Sequence, residues 1–269
     1  FLHVLIPRSK KGKIFAFGAY ALVVGSIFVM YGISRWYLAQ NQDKLFEYGV
    51  TFVADYAEEL GVEPEETLEA IITDLQPDRI RLTSYWKSIE PVEGEYDFSA
   101  LDWQFDMVEE AGIDVLLAIG LRQPRWPECH EPDWINTTEP RENWQPQLEN
   151  FMTKVVNRYK DRPALTSYQL ENEYFLSVFG NCNNFERERL IEEFELVRSL
   201  DPDTPINITR SNNAWPTWPV GDPKPDTVGV SIYKRIWDNT ISRRYYEYQY
   251  PPWFSGFLAG ITKITSARD

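Results

Sequence analysis

A parallel (β/α) barrel is the fold class this chain predicts, on three observations. Strand-like and helix-like segments alternate from residue 45 onward. The run Asp114-Val115-Leu116-Leu117-Ala118-Ile119 is apolar on both faces, as a strand buried in a parallel sheet must be. The long loops, 84–98, 120–145, 174–184 and 210–227, all follow strands, which is the asymmetry of a barrel whose functional loops gather at its C-terminal mouth. The pattern yields six βα units before Asp269, so an incomplete TIM barrel is expected, preceded by one transmembrane helix.

The N-terminal segment predicts location. Residues 14–34 hold no charged side chain, and this length of 21 residues matches the roughly 20 that a bilayer span requires. Arg8, Lys10, Lys11 and Lys13 precede it, and Arg35, Trp36 and Tyr37 follow. The positive-inside bias makes 1–13 a short basic cytoplasmic tail and 14–37 a single-pass signal-anchor helix in the cell membrane, contacting lipid. Residues 38–44 are then a linker, and 45–269 form the barrel body outside. A cleaved signal peptide and a buried soluble helix are the other readings of the segment, and the signal peptide is the nearer rival. Its apolar core runs about 7–15 residues and ends in a small-residue cleavage site; this run is longer and lacks that site. As an anchor or as a signal peptide, the segment puts the body outside the cytoplasm. There Cys129 and Cys182 are able to form a disulfide, although two unpaired thiols fit the sequence equally well.

Charge and rare residues narrow the chemistry. The chain carries a net charge of -14, while residues 1–44 hold six basic side chains against Asp43 alone. The body is therefore more acidic than the whole. It repels nucleic acid phosphates and suits a neutral substrate such as a sugar. His130 is the body's one histidine, so a catalytic triad or a multi-histidine metal site is not expected. Two distant cysteines make no zinc site. No G-x-G-x-x-G follows the first strand and no phosphate-binding loop occurs, so no cofactor is expected. Oligomeric state stays open.

In chain order, 45–52 reads as the first strand. A helix over 64–74 starts at Pro64 with acids in its first turn and sets Leu68, Ile71, Ile72 and Leu75 on one face. Strand two is 79–83. The helix 99–111 buries Leu101, Phe105 and Val108 and ends at Gly112. After strand three (114–119) comes a helix over 146–159, strand four (165–170), a helix over 185–200, and strands five (206–209) and six (228–232). Residues 253–268 fit the helix after strand six.

Strand four leads into Glu171-Asn172-Glu173-Tyr174. A strand that ends in an amide and a carboxylate delivers a polar pair to the mouth of a barrel. Glu173 sits among Tyr168, Tyr174 and Phe175, surroundings that desolvate a carboxyl and favour its protonated, acid form. Glu171 reads instead as half of a structural ion pair. Trp86, Trp126, Trp215, Trp218 and Trp237 all fall in or just after loops that follow strands. Sugar rings present C–H faces that indole covers well, so at least one is expected to stack on substrate.

Three pieces carry a family resemblance. The segment from Tyr85 to Phe98 resembles W-x-x-I-E-P-x-x-G-x-Y-D-F of clan A glycoside hydrolases, the retaining (β/α)8 enzymes that include cellulase-like family 5 and β-galactosidase-like family 42. Arg81 near the end of strand two and Asn172-Glu173 after strand four are the others. The resemblance covers roughly 45–250. It implies a glycosidase that cleaves a β-linked glycoside or polysaccharide with retention, with Glu173 as general acid/base and Asn172 on the sugar 2-hydroxyl. Arg81 and Tyr233 would support the nucleophile. In the clan that nucleophile ends strand seven, so it is expected beyond residue 269. Without it, a non-catalytic carbohydrate-binding or interaction protein on a degenerate barrel is the alternative.

Overall fold

The computed structural model describes residues 9–177, 179–211, 221–233, 235–238, 243–247 and 250–266. These form two compact units: residues 45–231 with 266–269, and residues 1–44 with 232–265.

The helix α1 (Lys10–Gln40) opens the chain. Ser9 caps it, its Oγ accepting from the Gly12 amide at 3.0 Å. An 18-residue window of mean hydropathy 2.0 makes α1 long and apolar enough to cross a membrane.

In the larger unit, β1 (Gly49–Thr51), β2 (Arg79–Thr83), β3 (Asp114–Ile119), β4 (Leu165–Leu170), β5 (Ile206–Ser211) and β6 (Thr227–Ser231) form one sheet in sequence order. Every adjacent pair is parallel. Helices α2 (Ala54–Glu59), α3 (Pro64–Ala70), α4 (Trp86–Ile89), α5 (Ser99–Glu110), α6 (Gln145–Tyr159) and α7 (Arg187–Leu200) lie between the strands in sequence. This is the arrangement of the first six units of a (β/α)8 barrel. The expected first strand shrinks to three residues, because β2 pairs only with 49–51 and leaves Leu45 and Phe46 almost fully exposed. Helix α3 continues into a π-turn over Ile71–Leu75. The short helices α2 and α4 are additions to the sequence reading.

Register sorts the side chains. Leu82, Leu117, Tyr168 and Ile206 align across four strands and are fully buried. They join Phe105, Phe151, Val155, Leu190 and Val197 of the helices in one apolar core. The alternate row, Thr83, Ala118, Gln169 and Asn207, is largely polar. Strand periodicity puts Arg81 and Thr209 on that same face, so one face of the sheet is greasy and the other lines the site.

The second unit adds a hairpin, β7 (Arg235–Asp238) antiparallel to β8 (Arg244–Glu247), and the helix α8 (Phe254–Ser266). The helical character expected over 253–268 is present, but α8 groups with α1 and not with the body that 45–269 was expected to form. Its small residues explain this. A Cβ at Gly256 would meet Ser34 Oγ at 2.6 Å, and one at Gly260 would meet Ile33 Cγ2 at 2.8 Å, so α8 lies against the last turns of α1. Ser34 Oγ donates to the Trp253 carbonyl at 2.8 Å.

Candidate active site

The site grows from the end of β4. Glu171 and Glu173 both take left-handed backbone, φ 57° and 45°. Such conformations are sparsely populated by non-glycine residues and cluster at functional sites. The two kinks send neighbouring side chains to different surroundings. Glu171 turns back toward the helices, where its carboxylate accepts from the Leu121 and Arg122 amides at 2.7 and 3.0 Å and pairs with Arg189 at 3.2 Å. The predicted structural ion pair is thereby found, with Glu193 as its third, fully buried member.

Asn172 and Glu173 belong to the polar face. Arg81 Nη1 donates to Gln169 Oε1 at 2.7 Å, and Gln169 Nε2 donates to Asn172 Oδ1 at 3.1 Å. Asn172 Nδ2 then donates to Glu128 Oε2 at 2.8 Å. Arg81 also reaches Thr51 Oγ1 at 3.0 Å, and Arg122 Nε donates to the Asn172 carbonyl at 2.6 Å. The Glu173 amide donates to Thr209 Oγ1 at 2.8 Å, which ties the kink to β5.

The Glu173 side chain is buried, and its Oε1 makes no hydrogen bond among the described residues. Burial raises its proton affinity above the usual carboxylate range, against the pull of Ser231, Arg122, Ser211 and Arg81. A dry carboxyl with a spare oxygen holds its proton to higher pH than an exposed one.

The structure brings Glu173, Asn172 and Arg81 together, as the sequence predicted. Trp86 is a correction. It is fully buried, stacks on Phe151 at 5.7 Å, meets Trp134 edge-on and donates from Nε1 to Glu90 Oε2 at 2.6 Å. It belongs to the core. Glu90 also accepts from the Gly94 amide at 2.9 Å, so the segment closest to the family pattern closes the loop after β2. Trp126 is well exposed, edge-on to Phe179 at 5.8 Å. Tyr233 is half-exposed beyond β6. Trp237 lies in β7 with its side chain outside the described residues, as are Trp215 and Trp218. Cys129 and Cys182 are bonded, joining the loop after β3 to the loop after β4. His130 stacks on Tyr85 at 3.7 Å, and burial lowers its pKa to about 4, so it is neutral at physiological pH.

Sequence reasoning missed Glu128, Arg122, Gln169 and Thr209. Arg122 is almost fully buried and lies 3.5 Å from Glu128 Oε2. A signal existed for two of them: both belong to the loop after β3, and Glu128 directly precedes a cysteine that staples this loop to the one following Glu173.

The parallel sheet thus carries a desolvated carboxyl, Glu173, and a neighbouring amide, Asn172, just past the end of β4. The sequence profile of the beta-galactosidase family, glycoside hydrolase family 42, matches residues 63–217. That is more than half of the chain, and the protein belongs to this family. It is similar to beta-galactosidase LacZ of Lactobacillus acidophilus, 26% identical over 167 residues that cover 54% of this chain and 25% of the relative. Beta-galactosidase BbgII of Bifidobacterium bifidum is 28% identical over 138 residues, 41% of this chain and 19% of that protein. The chain thus spans about a quarter or less of these curated relatives. Among solved structures, a beta-galactosidase from Rahnella sp. R3 superposes with TM-score 0.51 at 12% identity, over 74% of this chain and 41% of that one. An exo-beta-1,4-mannosidase from Opitutaceae bacterium strain TAV5 gives 0.52 at 17%, over 66% and 35%. At these identities the structures show the shared fold.

Proposed function

We propose that the protein is a retaining β-glycosidase, held in the cell membrane by residues 14–37, with its barrel outside the cytoplasm and a β-linked glycoside as substrate. Glu173 is the general acid/base. The observation that carries this reading is its buried carboxyl, raised in proton affinity and with Oε1 unbonded. Protonated, it gives its proton to the leaving oxygen; ionised, it activates the water that hydrolyses the intermediate. Asn172 keeps one amide hydrogen beyond that given to Glu128, and this is the donor for the sugar 2-hydroxyl. Arg81 and Tyr233 support the nucleophile, a second carboxylate that the clan resemblance assigns to a seventh strand, beyond the six described. Trp126 is the exposed ring available to stack on a sugar face.

Full-length Glu173→Ala protein tests the role. Hydrolysis of a natural glycoside should fall on the order of 10²–10⁴-fold. An aryl glycoside with a good leaving group should lose much less, and azide should restore part of the turnover. Equal losses on both substrates, with no azide rescue, would remove Glu173 from the acid/base role.

A further inference from the structure

Glu128 is a buried carboxyl that the acid/base reading leaves without a task. It holds a left-handed backbone conformation, φ 76°, and is closed in by its own loop: its amide donates to the Arg125 carbonyl at 2.7 Å, and its carbonyl accepts from the Gln123 amide at 2.8 Å. The next residue, Cys129, is bonded to Cys182, and the Asn181 amide donates to the Pro127 carbonyl at 2.9 Å. Covalent and backbone links therefore hold Glu128 against the loop that begins with Glu173.

Its contacts end a directional relay. Arg81 donates to Gln169, Gln169 to Asn172 and Asn172 to Glu128, while Arg122 donates to the Asn172 carbonyl and faces the same Glu128 oxygen. Each amide has its oxygen toward a donor and its nitrogen toward an acceptor. Flipping Asn172 would set its oxygen against the Glu128 carboxylate and its NH₂ against the Gln169 NH₂, so Glu128 fixes the orientation of the amide. Glu128 Oε1 takes no part in these bonds.

We propose that Glu128 is a positioning residue for the reaction at Glu173: it locks the Asn172 amide toward the substrate, and its charge is felt by the Glu173 carboxyl one residue further on. The inference rests on Glu173 being the acid/base. Two carboxyls in one dry niche resist ionising together. Arg122 and the Asn172 amide favour the ionised form of Glu128, as does Arg81; Glu173 opposes it. Burial outweighs them all and brings Glu128 to about 7. Glu173 in turn faces Ser231, Ser211, Arg122 and Arg81. Glu128 thus changes charge in the pH range where a general acid works.

The test titrates the pair directly. Protein carrying ¹³C-labelled Glu carboxyls is followed by NMR across pH 3–10, with Glu173→Gln and Glu128→Gln assigning the two signals. The expected result is a two-step curve for Glu173 in the wild type. In Glu128→Gln it becomes a single step at lower pH, by roughly one unit. Gln keeps an oxygen for Asn172, so only the charge is lost. A one-step wild-type curve, or one that Glu128→Gln leaves in place, overturns the proposal, and the wild-type curve decides even if the variant fails to fold. In the full-length enzyme the basic limb of kcat/KM should move down with Glu128→Gln by the same amount. A fall in kcat with that limb unmoved also overturns it. So does a 2-fluoroglycoside adduct on Glu128, which would make it the nucleophile. Because the NMR readout needs no turnover, an inactive full-length protein would count against the glycosidase reading alone.

Discussion

Glu171 and Glu173 are two residues apart, both left-handed and both buried, yet one is bound on all sides and the other is not. Glu171 receives two backbone amides and the Arg189 guanidinium, which also holds Glu193. Around Glu173, Thr209 bonds the backbone amide and Ser231 and Ser211 bond the carboxyl, while Oε1 is left over among the described residues. The first cluster is built for the folded state. The second keeps hydrogen-bonding capacity in reserve, which is what the proposed acid/base role would use. Exposure alone does not separate structural from functional carboxylates; the difference lies in how completely each is satisfied.

The contrast is broken most directly at Arg189. Arg189→Met leaves Glu171 and Glu193 buried without their cation and should cost about 3–5 kcal/mol of stability. Glu173→Gln, which removes a desolvated carboxyl and keeps an oxygen for Ser231 and Ser211, should change stability far less. Denaturant midpoints of the two variants check this; similar losses would mean that both carboxylates are structural.

A smaller effect is read in pH. Glu128 binds its proton up to about 7 in the folded protein, against an ordinary 4.5, and Glu173 is shifted the same way. Between those values the folded state holds protons that the unfolded chain has released, so stability falls as pH rises from about 4.5 to about 7. Glu128→Gln should make this slope shallower, leaving the share of Glu173, and raise stability at pH 8 by no more than on the order of 3 kcal/mol. Unfolding measured at a series of pH values tests it, and a wild-type slope of the opposite sign would remove the argument.

Gly120 gives the finest probe. It sits at φ 105°, and a Cβ there would lie 2.4 Å from Glu171 Oε1. Gly120→Ala should cost roughly 1–3 kcal/mol from backbone strain, with the added loss of the Glu171 contacts. A melting temperature equal to wild type would show that Glu171 is less rigidly held than its bonds indicate.

Much of this contrast was legible beforehand. Alternating apolar and polar segments marked the strands and helices, the loop lengths marked the mouth, and Asn172-Glu173 marked the polar pair placed there. The reading of Glu171 as an ion-pair partner also came from the chain alone. Trp86 was misplaced because an indole in a loop after a strand looks the same whether it faces sugar or core. Its burial is decided by Phe151 and Trp134, which lie 65 and 48 residues away in sequence. Glu128 was passed over because its partners, Asn172 and Arg122, come from different loops.

The sequence by itself determined the order of elements, the apolar character of β3, the apolar N-terminal helix and the polar pair that follows β4. Those properties follow from local periodicity and composition, which act over a few residues. Tertiary structure decided which carboxylate is satisfied, which cysteines are joined, that α8 lies against α1, and that a second carboxyl reaches Asn172. Each of these depends on distances between residues far apart in the chain, and only the closed backbone sets such distances.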